Sequence, residues 1–167
     1  PPVCFVARPA FYCCFCFAVC VAVVSKGVFS PRELHCRDCY LYDSSGLEAA
    51  EMLSCNTVLT VLNLEGNSIS GSGAVAIAEA PRHHVALRHL NLSGNVCGSE
   101  AGTAFAEMLR TNSSLTRLEL AHCSFSNQGV AHFDGALRTN RTLEALDLSG
   151  NLITEPLALQ LVSTLTE

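Results

Sequence analysis

The sequence is poor in positive charge and has no segment suited to binding a phosphate backbone. Its 167 residues include 10 Lys and Arg against 15 Asp and Glu, for a net charge of −5 at pH 7. Nucleic-acid-binding proteins carry a basic patch or stripe, so no nucleic-acid partner is expected. The glycine-rich G-x-x-x-x-G-K-[ST] loop that holds nucleotide phosphates is also missing. We expect no cofactor and no small-molecule substrate.

His and Cys residues are present, but their spacing does not form a metal site or a catalytic set. Cys36-x-x-Cys39 has the spacing of half a zinc site, yet no second pair follows it. His122 and Cys123 could be imagined as base and nucleophile, but adjacent strand residues point to opposite faces. We therefore predict that the protein is not an enzyme and has neither catalytic residues nor bound metal.

The first thirty residues differ in composition from the remainder. Residues 9–25 are uncharged and rich in Phe, Cys, Ala and Val. A helix of this length spans about 25 Å, the short limit for crossing a membrane. Three interpretations stay open for residues 1–30: a short membrane or signal-anchor helix, the apolar part of a secretory signal, or sequence from a faulty gene model. An apolar helix that caps the end of a repeat array is also possible.

A period of 28 residues dominates the rest of the chain. The pattern L-x-x-L-x-L-x-x-N/C begins at Leu59, Leu87, Leu115 and Leu143, and a degenerate copy begins at Pro31. A fixed period of this size is typical of solenoids, whose units bury their apolar faces against one another. The predicted units are 31–58, 59–86, 87–114, 115–142 and a truncated 143–167.

Each unit contains two different hydrophobic periods. Its L-x-L segment alternates, which predicts a strand whose leucines turn towards the core. Its second half has helical spacing, as at Phe105, Met108 and Leu109. Where the chain leaves the strand, an Asn amide is expected to bond the backbone of neighbouring units and so form a ladder. The ladder positions are Asn67, Asn95 and Asn151, with Cys39 and Cys123 as replacements.

The 59–86 unit departs from the pattern in its helix. Pro81 stands where the other units have Leu, and a proline there should end or bend the helix because it removes a backbone donor. His84 replaces the Asn of the following return loop, and we expect His83 and His84 to be exposed loop residues.

The repeat length, the N/C position and the Leu-Arg-Thr-Asn return segment at residues 109–112 and 137–140 resemble the ribonuclease-inhibitor-like class of leucine-rich repeats. The resemblance covers residues 31–167. It implies an α/β solenoid of about five repeats, with parallel inner strands and outer helices in a horseshoe arc. We expect an apolar helix before it. Members of this class work mostly inside the cell by protein contact, which implies a cytoplasmic location, with a membrane-anchored protein as the alternative through residues 9–25.

The function predicted from these features is protein binding on the concave face of the array, within a larger protein of which this chain is a fragment. Residues between the strand leucines face that surface. Two alternatives are a regulator of a small GTPase, suggested by the resemblance alone, and a membrane-tethered receptor ectodomain. Glycosylation at Asn112 and Asn140 would matter only in the ectodomain. The predicted contact residues are Glu65, His89, Asn91, Arg117, Glu119, His122 and Asp147.

Overall fold

A computed structural model describes residues 31–166, with side chains described as far as residue 164. The expected N-terminal apolar helix and the candidate membrane segment at 9–25 lie outside the described residues. Within them, five short strands alternate with helices. The elements are β1 Glu33–His35, α1 Asp43–Cys55, β2 Val61–Asn63, α2 Gly71–Glu79, a 3-10 helix Ala80–His83, β3 His89–Asn91, α3 Gly98–Thr111, β4 Arg117–Glu119, α4 Asn127–Thr139, β5 Ala145–Asp147 and α5 Glu155–Thr166.

The five strands form one parallel sheet in the order β1-β2-β3-β4-β5. Neighbouring strands are shifted by 28 residues, so every residue lies beside its equivalent in the next unit. The central leucines therefore form a continuous row. This arrangement confirms the expected α/β solenoid with parallel strands on one side and helices on the other.

The core lies between the sheet and the helices. Leu62, Leu90 and Leu118 in the strands are fully buried, as are Phe105 and Phe133 in α3 and α4. Burial of one such side chain stabilises a fold by about 1.5–3 kcal/mol relative to its exposure. In the first four units the apolar face is covered by the next unit, whereas Leu146 of the fifth unit is only partly buried. Stability therefore comes from packing between repeats and does not require long individual helices.

Glycines allow adjacent helices to pack very closely. An ideal Cβ placed on Gly102 of α3 would lie 2.8 Å from the carbonyl oxygen of Gly129 in α4. A Cβ on Gly73 of α2 would meet the carbonyl oxygen of Asp43 at 2.9 Å. Real Cβ atoms do not approach backbone this closely, so the helix spacing requires glycine here.

The predicted Asn ladder is present. The Asn67 amide donates to the carbonyl of Cys36 at 2.9 Å, and its oxygen accepts the backbone N–H groups of Cys39 and Leu41. One side chain thus satisfies the turn of the preceding unit. Where Cys123 replaces Asn, its S–H donates to the carbonyl of Leu92 at 3.3 Å. Cysteine keeps the donor of the ladder but lacks the amide oxygen.

The second unit is irregular, as Pro81 predicted. Helix α2 ends at Glu79, and a 3-10 helix that contains the buried Pro81 follows it. The expectation for His84 was wrong, because this side chain is only 8% exposed. Its Nδ1 accepts the N–H groups of Ala86 and Leu87 at 3.2 and 3.0 Å. The imidazole occupies the loop Asn position and satisfies the same backbone groups, which draws it into the core.

None of the helices within residues 31–166 combines the length and apolar character needed to cross a membrane.

Candidate protein-binding surface

The surface of the sheet opposite the helices, which we call the concave face, presents three rows of side chains. Because the strand register equals the repeat length, each row contains one residue from every unit. At about 4.8 Å between strands, five strands give a face roughly 20 Å wide. Row one contains Glu33, Val61, His89, Arg117 and Ala145; row two contains His35, Asn63, Asn91, Glu119 and Asp147; and row three contains Arg37, Glu65, Ser93, Ala121 and Ser149.

Three side chains of row two stabilise the ends of their own strands. Asn63 Oδ1 accepts the backbone N–H of the residue two positions later at 2.9 Å, and Asn91 and Asp147 do the same at 2.8 and 2.9 Å. For Asp147 this backbone bond from Ser149 is the main reason that the carboxyl pKa lies below its ordinary value. The first role of these short polar side chains is to stabilise the turn, and each uses one oxygen to do so.

Glu65 links the first three units across the concave face. Its carboxylate lies 3.2 Å from Nη1 of Arg37 and accepts a hydrogen bond of 3.3 Å from the amide of Asn91. Arg37 was not among the predicted contacts, although its register position beside Glu65 could have identified it. Its side chain is largely exposed, and its Nε also lies 3.1 Å from Oδ2 of Asp38, so this end of the face presents one guanidinium between two carboxylates.

Glu119 forms a second charged group at the centre of the face. Its Oε1 lies 3.3 Å from Nε2 of His89 and 3.7 Å from Nη1 of Arg117. The Arg117 side chain is 57% exposed, whereas those of Glu119 and His89 are mostly covered. A partner approaching the sheet would therefore meet the guanidinium first, with its counter-ion below it.

The predicted contact residues differ widely in exposure. Asn91 is only 4% exposed and both polar atoms of its amide are already bonded within the protein. It therefore offers little surface to a partner. Arg117, His122 and Asp147 are exposed, and Glu65, His89 and Glu119 are half-buried.

His122 lies in the turn after β4, not in the strand from which its side-chain direction was inferred. Its φ of 53° is left-handed, like that of Gly150 at the same position of the next unit. The imidazole lies so close to Gly150 that an added Cβ there would be 2.2 Å from the ring. Cys123 is fully buried beneath the turn. The imidazole is exposed while the thiol is buried, so the two groups do not form a base and nucleophile pair. Alternation along a strand, from which we expected this, was the wrong reason.

Cys36 and Cys39, the other pair with ligand-like spacing, are both buried in the first unit. Over residues 31–166, no three His, Cys, Asp or Glu side chains are grouped closely enough to hold a metal ion.

Comparison with known proteins agrees with this architecture. A family model described as a leucine-rich repeat matches residues 55–78, 84–106, 111–132 and 139–155, together more than half of the chain. The solved structure of leiomodin-1 actin-binding site 2 is similar, with a TM-score of 0.75 and 18% identity, covering 95% of this chain and 90% of that one. The tropomodulin C-terminal domain of Caenorhabditis elegans has a TM-score of 0.66 and 13% identity, covering 90% and 91%. A search of curated proteins found no significant match.

Proposed function

Because the chain belongs to the leucine-rich repeat family, we propose that it is a non-catalytic, cytoplasmic module that binds a protein partner on its concave face. The observation that carries this proposal is the charged group of His89, Arg117 and Glu119. It lies at the middle strands, where a partner can be surrounded by contacts from both sides. Buried or partly covered charges at the centre of an interface affect specificity most strongly.

The geometry of this group leaves Arg117 available for a partner. Its contact with Glu119 is long at 3.7 Å, and the guanidinium is mostly in solvent. An exposed ion pair stabilises a fold by about 0–1 kcal/mol, so exchanging it for a bidentate contact with a partner carboxylate requires little energy. We expect Asp147 and His122 to extend this contact towards the fifth unit, and Glu65 to extend it towards the first.

A charge exchange tests the assignment while keeping an acid beside a base at positions 117 and 119, although the contact of His89 with Glu119 is lost. In the double variant Arg117→Glu with Glu119→Arg, the two charges change places, so the fold keeps an acid beside a base. Proteins captured on the full chain from a cell lysate are compared quantitatively with those captured on the variant. We expect specific partners to be reduced about tenfold or more, which corresponds to about 1.4 kcal/mol.

A matched control lies on the outer surface of α3. Glu107 and Arg110 form an exposed ion pair of 3.2 Å, and Glu107→Arg with Arg110→Glu exchanges the same two charges there. This control should capture the same proteins as the unmodified chain. If the concave-face exchange and the helix exchange give identical capture profiles, the concave face is not the binding surface.

Actin is the first defined probe, since one fold neighbour is named as an actin-binding site. Likeness of fold alone supports this choice, and cosedimentation with filamentous actin measures it directly. Regulation of a small GTPase and a role as a membrane-tethered ectodomain stay alternatives. Hydrolysis of GTP by candidate GTPases with and without the chain tests the first, and glycosidase sensitivity in cells tests the second.

A further inference from the structure

A second surface lies at the edge of the solenoid where each strand leads into its helix, which we call the loop edge. The residue directly after the ladder Asn or Cys points outward there. In the first, third and fifth units this residue is apolar and exposed: Tyr40 at 57%, Val96 at 61% and Leu152 at 73%. In the second and fourth units it is Ser68 and Ser124. Exposed apolar side chains therefore recur at every second repeat.

Acidic residues accompany the same three units. Glu100 follows Val96 by four residues and Glu155 follows Leu152 by three, and both carboxylates are exposed. Asp43 takes the corresponding place three residues after Tyr40. Within residues 31–166, neither Glu100 nor Glu155 has a basic side chain within 4.0 Å. The loop edge thus offers apolar groups next to carboxylates that, in the first turns of α3 and α5, have no basic side chain beside them.

A depression of about 470 Å³ opens beside Val96 in the third unit. Its wall includes Glu100 and, from the fourth unit, Gln128. Gly71 and Gly98 also line it, and a Cβ on either glycine would meet no atom within 4 Å. The missing side chains leave space into which a bulky apolar group of a partner could extend past Val96.

The spacing of the exposed apolar residues indicates which secondary structure of a partner would match them. Two repeats at about 4.8 Å each separate Val96 from Leu152 by roughly 10 Å. In an α-helix, residues seven positions apart lie on one face and about 10.5 Å apart. An extended strand places same-face side chains about 6.8 Å apart, and neither one nor two such steps give 10 Å. A helix lying across the loop edge matches the row.

We propose that the loop edge binds a basic amphipathic α-helix of a partner protein, with an apolar residue at every seventh position and Lys or Arg beside it. The apolar residues contact Val96 and Leu152, and the largest of them enters the depression next to Val96. The basic residues pair with Glu100 and Glu155. This surface is separate from the concave face and does not depend on the function proposed for that face.

The test uses a displayed library of helical peptides of about 20 residues, long enough to form a helix on binding. In half of the library every seventh position is fixed as an apolar residue. The charged residues vary in sign and position throughout the library. Selection on the full chain should enrich basic peptides from the fixed half. Enrichment of acidic peptides, of peptides without the seven-residue spacing, or of none would overturn the proposal.

Variants then locate the bound peptide. Val96→Glu and Leu152→Glu should each weaken the selected peptide about tenfold or more, and Glu100→Lys should weaken it several-fold and reduce its dependence on salt, because Glu155 still pairs with the peptide. Val85→Glu is the matched control, because Val85 is 74% exposed but precedes its strand and lies at the opposite edge. Equal loss from Val85→Glu and Val96→Glu would refute the site.

The Arg117 and Glu119 exchange separates the two surfaces. Peptide affinity should be unchanged in this variant, whereas loss of the peptide would place it on the concave face and overturn the proposal for the loop edge. Circular dichroism of each variant confirms that the repeats remain folded. Failure of the loop-edge variants to change peptide binding says nothing against protein capture by the concave face.

Discussion

Acidification should destabilise the second unit through His84. The Nδ1 atom of this buried imidazole accepts the backbone N–H groups of Ala86 and Leu87. A protonated Nδ1 is a donor and cannot accept either bond. Burial lowers the pKa of His84 below its ordinary value of 6.5, and an opposing interaction with the backbone of Asn56 raises it by less. The folded protein therefore holds His84 neutral.

The sign and size of the effect follow from the difference in protonation between the two states. In the unfolded chain His84 gains its proton near pH 6.5, while the folded state resists protonation. Stability is therefore complete above about pH 6.5 and falls as the pH decreases towards the lowered folded pKa. One proton contributes at most about 1.4 kcal/mol per pH unit. The two bonds at risk contribute about 1 kcal/mol each, which is compatible with this limit.

The variant His84→Asn should remove this dependence. Asn112 occupies the same loop position one unit later, and its Oδ1 accepts the N–H groups of Ser114 and Leu115 at 2.9 and 2.8 Å. An amide side chain does not titrate in this pH range, and its oxygen would still accept the two backbone N–H groups. Urea unfolding followed by circular dichroism at pH 7.5 and pH 5.5 gives the free energy of unfolding for each protein. We expect the unmodified chain to lose about 1 kcal/mol more than His84→Asn between these two pH values.

The neighbouring histidine supplies the control. His83 is exposed, so His83→Asn removes one imidazole of the loop without touching the buried bonds and should keep the full pH dependence. The reasoning is refuted if His84→Asn loses as much stability on acidification as His83→Asn does. It is also refuted if the unmodified chain becomes more stable at pH 5.5.

Two further predictions concern the helix contacts and the concave face. Gly102→Ala should lower the free energy of unfolding by about 1–3 kcal/mol, since the new Cβ meets backbone of α4. The control Gly135→Ala meets only the flexible end of Arg110 and should be neutral or stabilising by up to about 1 kcal/mol. Calorimetry compares the two variants, and equal melting temperatures would contradict the proposed packing. Asp147→Asn should retain the bond to the Ser149 N–H and leave stability at neutral pH within about 1 kcal/mol, while Asp147→Ala loses that bond. Because the pKa of Asp147 is lowered in the fold, its carboxylate stabilises the protein above the unfolded value near 3.8 and this contribution is lost on acidification. Urea titrations at pH 3 and pH 7 should show a smaller loss for Asp147→Asn, and an unchanged loss would contradict this role.

The scaffold was predictable from the sequence because the same hydrophobic pattern occurs in every repeat. The alternating leucines and the spacing of residues such as Phe105 and Met108 fix the strands, the helices and their order. The break at Pro81 was predictable for the same reason, since one unit could be compared with four others. His84 could have been recognised as buried by the same comparison, because its alignment with Asn112 implies the same backbone bonds.

The candidate surface was less predictable because alternation holds only within a strand, and each strand has three residues. His122 lies one step beyond that limit, in a left-handed turn. Exposure also depends on side chains of the neighbouring unit. Asn91 alternates correctly, yet it is covered because Glu65 and the following backbone bond it. The exposed row at Val96 was not predicted, because the residue type after the ladder Asn varies between units and the sequence does not show that this position is exposed.

Glu119 differs from the other row-two residues Asn91 and Asp147 in how the end of its strand is bonded. Asn91 and Asp147 are short and use one oxygen to accept the N–H two residues ahead. At Glu119 the equivalent N–H, that of Ala121, is accepted by the hydroxyl of Ser93 in the previous unit at 3.2 Å. This substitution of partners leaves the longer Glu119 carboxylate available to His89 and Arg117. Since Ser93 accepts this backbone N–H, we expect that Glu119 can change its contacts with little effect on the fold, whereas a change at Asn91 removes a backbone bond.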